Sequence, residues 1–341
     1  MKILVGLSGG VDSAYTAYKL KNTGHDVEGI VLVMHEYTDI DAAKKAADII
    51  GIPLTVSDCR EVFKKYVISN FISEYSIGHT PNPCTVCNRY VKIAQLCKYA
   101  NENNFDKAAT GHYAKIHYDD NTQRYCVQKA NDAKKDQSYM LWHLTQEQLK
   151  TLYFPLCDMT KEEIKKEVEK TELAYLCKQK ESQEICFIPD NDYASYIEKE
   201  KGVFPEGDFI DKNGKVIGRH KGIIHYTIGQ RKGLGIALGA PAYITCIDPV
   251  NNTVTVEKMS DVHGDLLTAC SLNSQLIPFK DGDEYVLDVK IRYAAKPITA
   301  RVRIENGKAV AEFETPLRAI TPGQSAVFFK DDKIAFGGVI V

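Results

Sequence analysis

The stretch KILVGLSGGVDS, residues 2–13, limits the fold more than any other part of this chain. An apolar run, KILVGL at 2–7, enters a turn with two consecutive glycines. A helical pattern opens directly behind it at 12–23, with Ala14, Ala17 and Tyr18 on one stripe and Gly24 as its stop. The same alternation continues. VEGIVLVM (27–34) reads as a second strand, 39–51 as a helix ending at Gly51, and IPLTVSD (52–58) as a third strand. Helices follow over 60–76 and 88–103, then the short strand KAAT (107–110). Alternation of this kind predicts an α/β unit whose parallel sheet is covered on both faces.

The pattern does not persist. A capping box, Thr160 with Glu163, opens one more amphipathic helix in MTKEEIKKEVEK. After about residue 190 glycines become frequent and helical periodicity fades. From about 265 the chain reads as strands separated by tight turns such as Asn306-Gly307 and Asp331-Asp332, which predicts a small β-barrel or sandwich. With 341 residues, more than one core is expected. The expected division is a parallel-sheet nucleotide-binding domain over 1–190, a small glycine-rich domain over 191–261 and a C-terminal β-barrel over 262–341.

No run of 18 apolar residues occurs, so no membrane span is expected. The N-terminus lacks the pattern of a signal peptide, which places the protein in the cytoplasm. Its ten cysteines are then expected to be thiols, metal ligands or catalysts rather than a disulfide framework. Lys and Arg total 43 against 45 acids, so the protein is not basic throughout; a local patch would still serve a nucleic acid.

The glycine turn aims backbone N–H groups and a helix N-terminus at one point, a geometry that suits phosphate. Gly9 and Gly10 permit close approach, Ser8 and Ser13 add hydroxyls, and Asp12 can hold a magnesium ion on a bound nucleotide. The lysine of a Walker A loop is missing. A second feature is HTPNPCTVCN, residues 79–88. Its Cys-x-x-Cys suits half a zinc site, a redox disulfide, a sulfur-carrying thiol or an iron–sulfur ligand. Zinc needs four ligands, and beyond the nearby His79 the chain offers no second such pair. Cys97 follows Ile93 and Ala94 on a helical stripe and reads as core.

SGGVDS resembles the loop of the ATP pyrophosphatases, the PP-loop enzymes, which activate a carbonyl oxygen as an adenylate. Six further motifs follow in order: TPNPCTVCNRYVKI, ATGHYAKI, KDQSYMLW, SQEICFIP, HYTIGQRKGLGI and TPGQSAVFF. Together they resemble the bacterial tRNA-specific 2-thiouridylases over nearly the whole chain. The resemblance implies ATP- and Mg2+-dependent adenylation of the C2 oxygen of the wobble uridine, then its replacement by sulfur. It implies that Gly6, Leu7, Ser8, Gly9, Gly10, Val11, Asp12 and Ser13 cradle ATP, with Leu32 at the adenine and Gly111 close to the nucleotide. It places Asn82, Pro83, Cys84, His112, Lys135, Asp136, Gln137, Arg292, Tyr293 and Gln324 against tRNA. Arg292 suits a phosphate and Tyr293 a stacked base. The target uridine would be flipped from its stack to reach the site.

The resemblance also implies that Cys87 and Cys186 act as a pair. Cys186 would carry a persulfide from a sulfur donor protein, a cysteine desulfurase or relay, and Cys87 would close a disulfide or release sulfide. Cys87 is expected at the N-terminus of helix 88–103, where a thiol pKa is lowered. Two departures stand out. Many members have aspartate where this chain has Cys84, and a longer loop where it has only MHEYTDIDAAKKAAD. Cys84, Cys87 and Cys186 together suit the three-thiol binding of a 4Fe–4S cluster, the alternative to the persulfide route. The competing functions are another PP-loop adenylating enzyme, of amidotransferase or NAD synthetase type, and a binding protein without chemistry.

Overall fold

A computed structural model of the chain describes residues 1–179, 185–236, 241–258, 263–318 and 320–341. The first strand, β1 (Lys2–Gly6), is buried along its centre and pairs in parallel on both sides. One neighbour is β2 (Asp26–Val33), itself flanked by β3 (Leu54–Asp58); the other is β4 (Lys107–Ala109). Helix α1 (Val11–Asn22) joins β1 to β2, and α2 (Ile40–Ile50) joins β2 to β3. Asp39 caps α2 by accepting the Ala42 N–H, and Gly51 ends it in the left-handed conformation at φ 70°. The chain leaves β1 towards β2 but returns on its other flank as β4. A crevice therefore opens beyond the carboxyl ends of β1 and β4, where open α/β sheets bind ligands.

Two hairpin strands, β5 (Lys115–Asp119) and β6 (Arg124–Gln128), come next, and then β7 (Leu152–Tyr153), which extends the parallel sheet beside β4. A four-stranded sheet follows, formed by β8 (Gly207–Ile210), β9 (Val216–His220), β10 (Ala242–Asp248) and β11 (Thr253–Lys258) in the order β10-β11-β8-β9. The C-terminal strands are β12 (His263–Ser274), β13 (Glu284–Lys290), β14 (Ile298–Glu305), β15 (Lys308–Arg318), β16 (Ser325–Lys330) and β17 (Lys333–Ile340). Pairing of β12 with β17 closes these six into a barrel. Alternation of buried and exposed residues along β14 gives the barrel one dry face, and Asn306 and Gly307, both at positive φ, make the β14–β15 turn.

Three features depart from the sequence expectation. The helices expected over 60–76 and 88–103 each contain a π turn, at Lys64–Ile68 and Asn88–Lys92. The second helix also begins earlier, at Pro83, with Asn82 as its cap. Averaged periodicity does not register one inserted residue. The hairpin β5–β6, unread in the sequence, attaches to β17 through Gln128 and Lys333, so residues well before 190 extend the barrel's sheet. The expected boundary near 262 and part of the SQEICFIP motif, 182–184, lie outside the described residues.

Buried polar groups lock the barrel to the first domain. Trp142 donates its indole N–H to Ser325 Oγ at 2.9 Å, and Tyr139 donates to Ser325 O at 2.9 Å. The fully buried Gln275 accepts from Val127 N and donates to Leu141 O and Trp142 O. Gly337 on β17 leaves room for the Trp142 ring, since a Cβ there would stand 2.5 Å from it. Gly337→Ala is therefore expected to lower stability by about 1–3 kcal/mol, as overpacking does, read as a reduced midpoint in urea unfolding.

Candidate active site

The glycine turn lies at the carboxyl end of β1, and Thr110-Gly111-His112 at the end of β4. Switch-point topology thus brings two distant motifs together. The contact is close: a Cβ on Gly111 would lie 2.8 Å from the Asp12 carbonyl carbon and 2.9 Å from Ser13 N. Gly9, at φ 78°, likewise packs onto α2, where a Cβ would meet Ala42 at 2.6 Å. Gly10 caps α1 without a side-chain hydrogen bond, so the amides of the first turn face outward. Ser13 Oγ donates to Gly10 O at 3.0 Å and accepts from Ser8 N at 3.1 Å, which holds the turn in shape.

Asp12 gathers its surroundings. Lys161 Nζ reaches both carboxylate oxygens at 2.7 Å, and Tyr113 OH donates to Oδ1 at 2.7 Å. Gln137 exchanges two bonds with Tyr113, donating its N–H to Tyr113 O and accepting Tyr113 N at Oε1. Asp132, buried, accepts from the N–H groups of Lys134, Lys135 and Lys161. Neither Lys161 nor Tyr113 was singled out in the sequence; the only signal for Lys161 was its place in the capped helix.

A cleft of about 1010 Å³ opens above these groups. Ser8 to Ser13, Pro83, Cys84, Cys87, His112, Lys135, Gln137, Cys186 and Tyr293 all line it. The C-terminal barrel thus reaches the same cavity as the phosphate-type loop. Met34, Asn88, Lys92 and Met140 line it too and were not foreseen.

The structure shows where the other expected residues lie. Leu7 and Leu32 are buried in the core, and Met34 stands at the cleft instead. Gly6 belongs to β1, and its contribution is to carry the chain into the turn. Asp136 is buried, with its carboxylate accepting from Ser138 Oγ, Ser138 N and Ala130 N; it shapes its own turn rather than facing outward. Asn82 caps the cysteine helix. Gln324 donates to Thr80 O at 2.7 Å and so ties the barrel to the segment before the cysteines. Arg292 donates to Thr321 Oγ1 at 2.6 Å, while Tyr293 is 40% exposed under the Lys290 ammonium.

Cys87 differs most from expectation. It is the fifth residue of the helix Pro83–Cys87, not the first of the next, so no helix N-terminus lowers its pKa. It is buried, its thiol donates to Met34 Sδ at 3.7 Å, and desolvation pushes its pKa up. Cys84 and Cys186 are exposed to the cleft. Surrounding protein raises both thiols, Cys186 to about 11, with the neighbouring Cys87 adding to the rise and Lys92 opposing it. Cys97 is buried in the core, as expected. His79 bonds Glu74 at 2.8 Å. Among the described residues no three His, Cys, Asp or Glu groups are gathered to hold a metal ion. The three thiols are the right donors for an iron–sulfur cluster, but as placed they do not form its site.

Comparison with known proteins covers the chain. Residues 1–190 match the family described as tRNA methyl transferase HUP domain. Residues 194–258 match the tRNA methyl transferase PRC-barrel domain, and 267–340 the aminomethyltransferase beta-barrel domain. Full-length relatives are similar throughout. A protein of Acetivibrio thermocellus named tRNA-specific 2-thiouridylase MnmA is 43% identical, over 99% of this chain and 99% of its own length. One of Caldanaerobacter subterraneus, named tRNA-specific 2-thiouridylase MnmA 1, is 45% identical over 99% of this chain and 97% of its own. That of Clostridium perfringens is 43% identical over 99% and 98%.

Two measurements check the site. Gly111→Ala forces apart the two loops that meet at Asp12, and ATP affinity is expected to fall at least about tenfold by calorimetry. Burial, aided by Lys92, pushes His112 down to about 3 from its ordinary 6.5. The folded state then binds fewer protons than the unfolded state between those values. His112 therefore lowers stability as pH falls from about 6.5 towards 3 and has no effect above that window. Its imidazole resonances should not titrate between about pH 5 and 8; a midpoint near 6.5 would refute the burial argument.

Proposed function

The chain belongs to the tRNA-specific 2-thiouridylase family, a PP-loop tRNA sulfurtransferase acting in tRNA modification, and from that premise we propose the route of the sulfur. One observation carries the reading: the glycine turn, His112 and the thiols of Cys84, Cys87 and Cys186 open into one cleft.

ATP binds with its phosphates on the outward amides of α1 and the hydroxyls of Ser8 and Ser13. Both oxygens of Asp12 are engaged by Lys161, so this carboxylate as placed does not offer a Mg2+ site, and no step here passes through the ion. The C2 oxygen of the wobble uridine attacks the α-phosphate, and pyrophosphate leaves. The adenylated oxygen is then a good leaving group. His112 Nδ1 is bonded to Thr110 Oγ1 at 2.7 Å, which leaves Nε2 of a neutral imidazole to meet the flipped base. Lys135, Gln137, Pro83, Arg292 and Tyr293 form the rim that meets the anticodon loop, with Tyr293 as a stacking surface.

Sulfur arrives as a persulfide on Cys186, delivered in the cytoplasm by a cysteine desulfurase or relay protein. Burial disfavours a bare thiolate here, and a persulfide ionises more readily than a thiol. Its outer sulfur attacks C2, a C2–S bond forms and AMP departs. Cys87 then attacks Sγ of Cys186; the S–S bond to the base breaks, 2-thiouridine leaves, and a Cys87–Cys186 disulfide remains for a dithiol reductant to reopen. The cluster alternative would hold iron on Cys84, Cys87 and Cys186 after rearrangement, and no step here passes through it.

The test uses protein purified without oxygen, assayed for iron, sulfide and conversion of tRNA with a persulfide donor. Metal-free protein should make 2-thiouridine and AMP. Cys186→Ala should lose at least about 10²-fold in turnover, and Cys87→Ala should halt with tRNA held covalently on Cys186. About four irons per chain, lost in Cys84→Ala together with activity, would replace the persulfide route by the cluster.

A further inference from the structure

The cleft contains a cation that the route above does not use. Lys92 lines it together with Cys84, Cys87, Cys186 and His112. Its charge acts on all four, opposing the rise of each thiol and disfavouring protonation of the imidazole. Lys161, in the same cleft, is committed to Asp12. No ion pair to Lys92 occurs among the described residues.

Backbone geometry explains why Lys92 is there. In an unbroken α-helix the residue over Cys87 would be Val91, four positions on. The π turn Asn88–Lys92 closes with i→i+5 spacing, so Lys92 comes over Cys87 instead. Val91 rotates fully into the core. The inserted residue therefore replaces an apolar side chain by an ammonium at the cleft wall. π turns of this kind are frequent at functional sites.

Position suggests the task. His112 follows Gly111, which touches Asp12 and Ser13 at the nucleotide loop. Lys92 thus lines the cleft that holds both the nucleotide loop and the thiols, and its charge reaches His112 and the thiols alike. We propose that Lys92 is a catalytic residue whose ammonium takes up the negative charge that develops on the departing AMP during sulfur transfer. This rests on the reading of the cleft given above. In that step the sulfur–C2 bond forms, the C2–O bond to AMP breaks, and its electron pair leaves on the phosphate-bound oxygen. A fixed cation in a partly dry site is well suited to that charge, and comparable groups contribute about 10²–10³-fold in rate.

The experiment compares the parent with Lys92→Met and Lys92→Arg under the same persulfide-driven tRNA assay, with α-labelled ATP. Lys92→Met should lower kcat about 10²–10³-fold while KM for tRNA stays within about threefold. Label should accumulate on the tRNA, because adenylation continues while AMP departure stalls. Lys92→Arg should recover part of the rate. The proposal fails if Lys92→Met turns over within about threefold of the parent. It fails equally if the loss comes with a lowered unfolding midpoint and no recovery in Lys92→Arg, the result of a purely structural role. A parent that makes no 2-thiouridine overturns the reading of the cleft itself, and the proposal with it; an active parent separates the two.

Discussion

Asp12 is a single carboxylate on which four segments of the chain converge. It lies in the first turn of α1, yet its partners are Lys161, 149 residues away, and Tyr113, 101 residues away. Tyr113 in turn holds Gln137, and the backbone of Lys161 is held by the buried Asp132. The nucleotide loop, the Gly-His-Tyr loop, the 132–138 turn and the helix Lys161–Val168 are therefore one electrostatic unit. An ammonium as buried as Lys161 needs its carboxylate, and the carboxylate needs a donor on each free side. The network fixes the shape of the phosphate end of the cleft before any ligand arrives.

The sulfur end is built on a different principle. There the determinants are helix phase and burial. Pro83 begins the helix, Asn82 caps it, and the π turn then shifts the phase by one residue. Cys84 is left open to the cleft while Cys87 is sheltered beneath it. Shelter raises the Cys87 pKa and favours its neutral thiol, with Lys92 opposing the rise. One cleft thus joins an ionically braced glycine turn to three thiols of different exposure.

The barrel completes the cleft. Its hold on the first domain runs through Ser325, Gln275 and Gln324, buried or half-buried polar groups whose bonds cross between distant parts of the sequence. Tyr293, on the barrel, lines the same cleft as the thiols. The cavity is therefore walled by residues of both domains. No helix among the described residues is long and apolar enough to cross a membrane.

Much of this was legible in the sequence, because it depends on local rules. The strand–turn–helix start, the α/β alternation, the capping box at Thr160 and the Asn306-Gly307 turn each follow from short-range sterics and hydrogen bonding. The motifs Ser-Gly-Gly-x-Asp-Ser and Cys-x-x-Cys announced phosphate and thiol chemistry because their residue types have few other uses at that spacing. Tertiary structure decided the rest. The partner of Asp12 was invisible, since nothing local marks one lysine of Lys161–Val168 as buried. Gln324 and Asp136, read as facing tRNA, are bonded within the chain, because their polar groups find acceptors and donors only once the fold closes. The phase of the cysteine helix, and with it the side on which Lys92 emerges, rests on a single inserted residue that periodicity averages away. Sequence determines which chemistry the chain carries; packing decides which charged groups remain free to perform it, because burial and pairing are properties of contacts between distant residues.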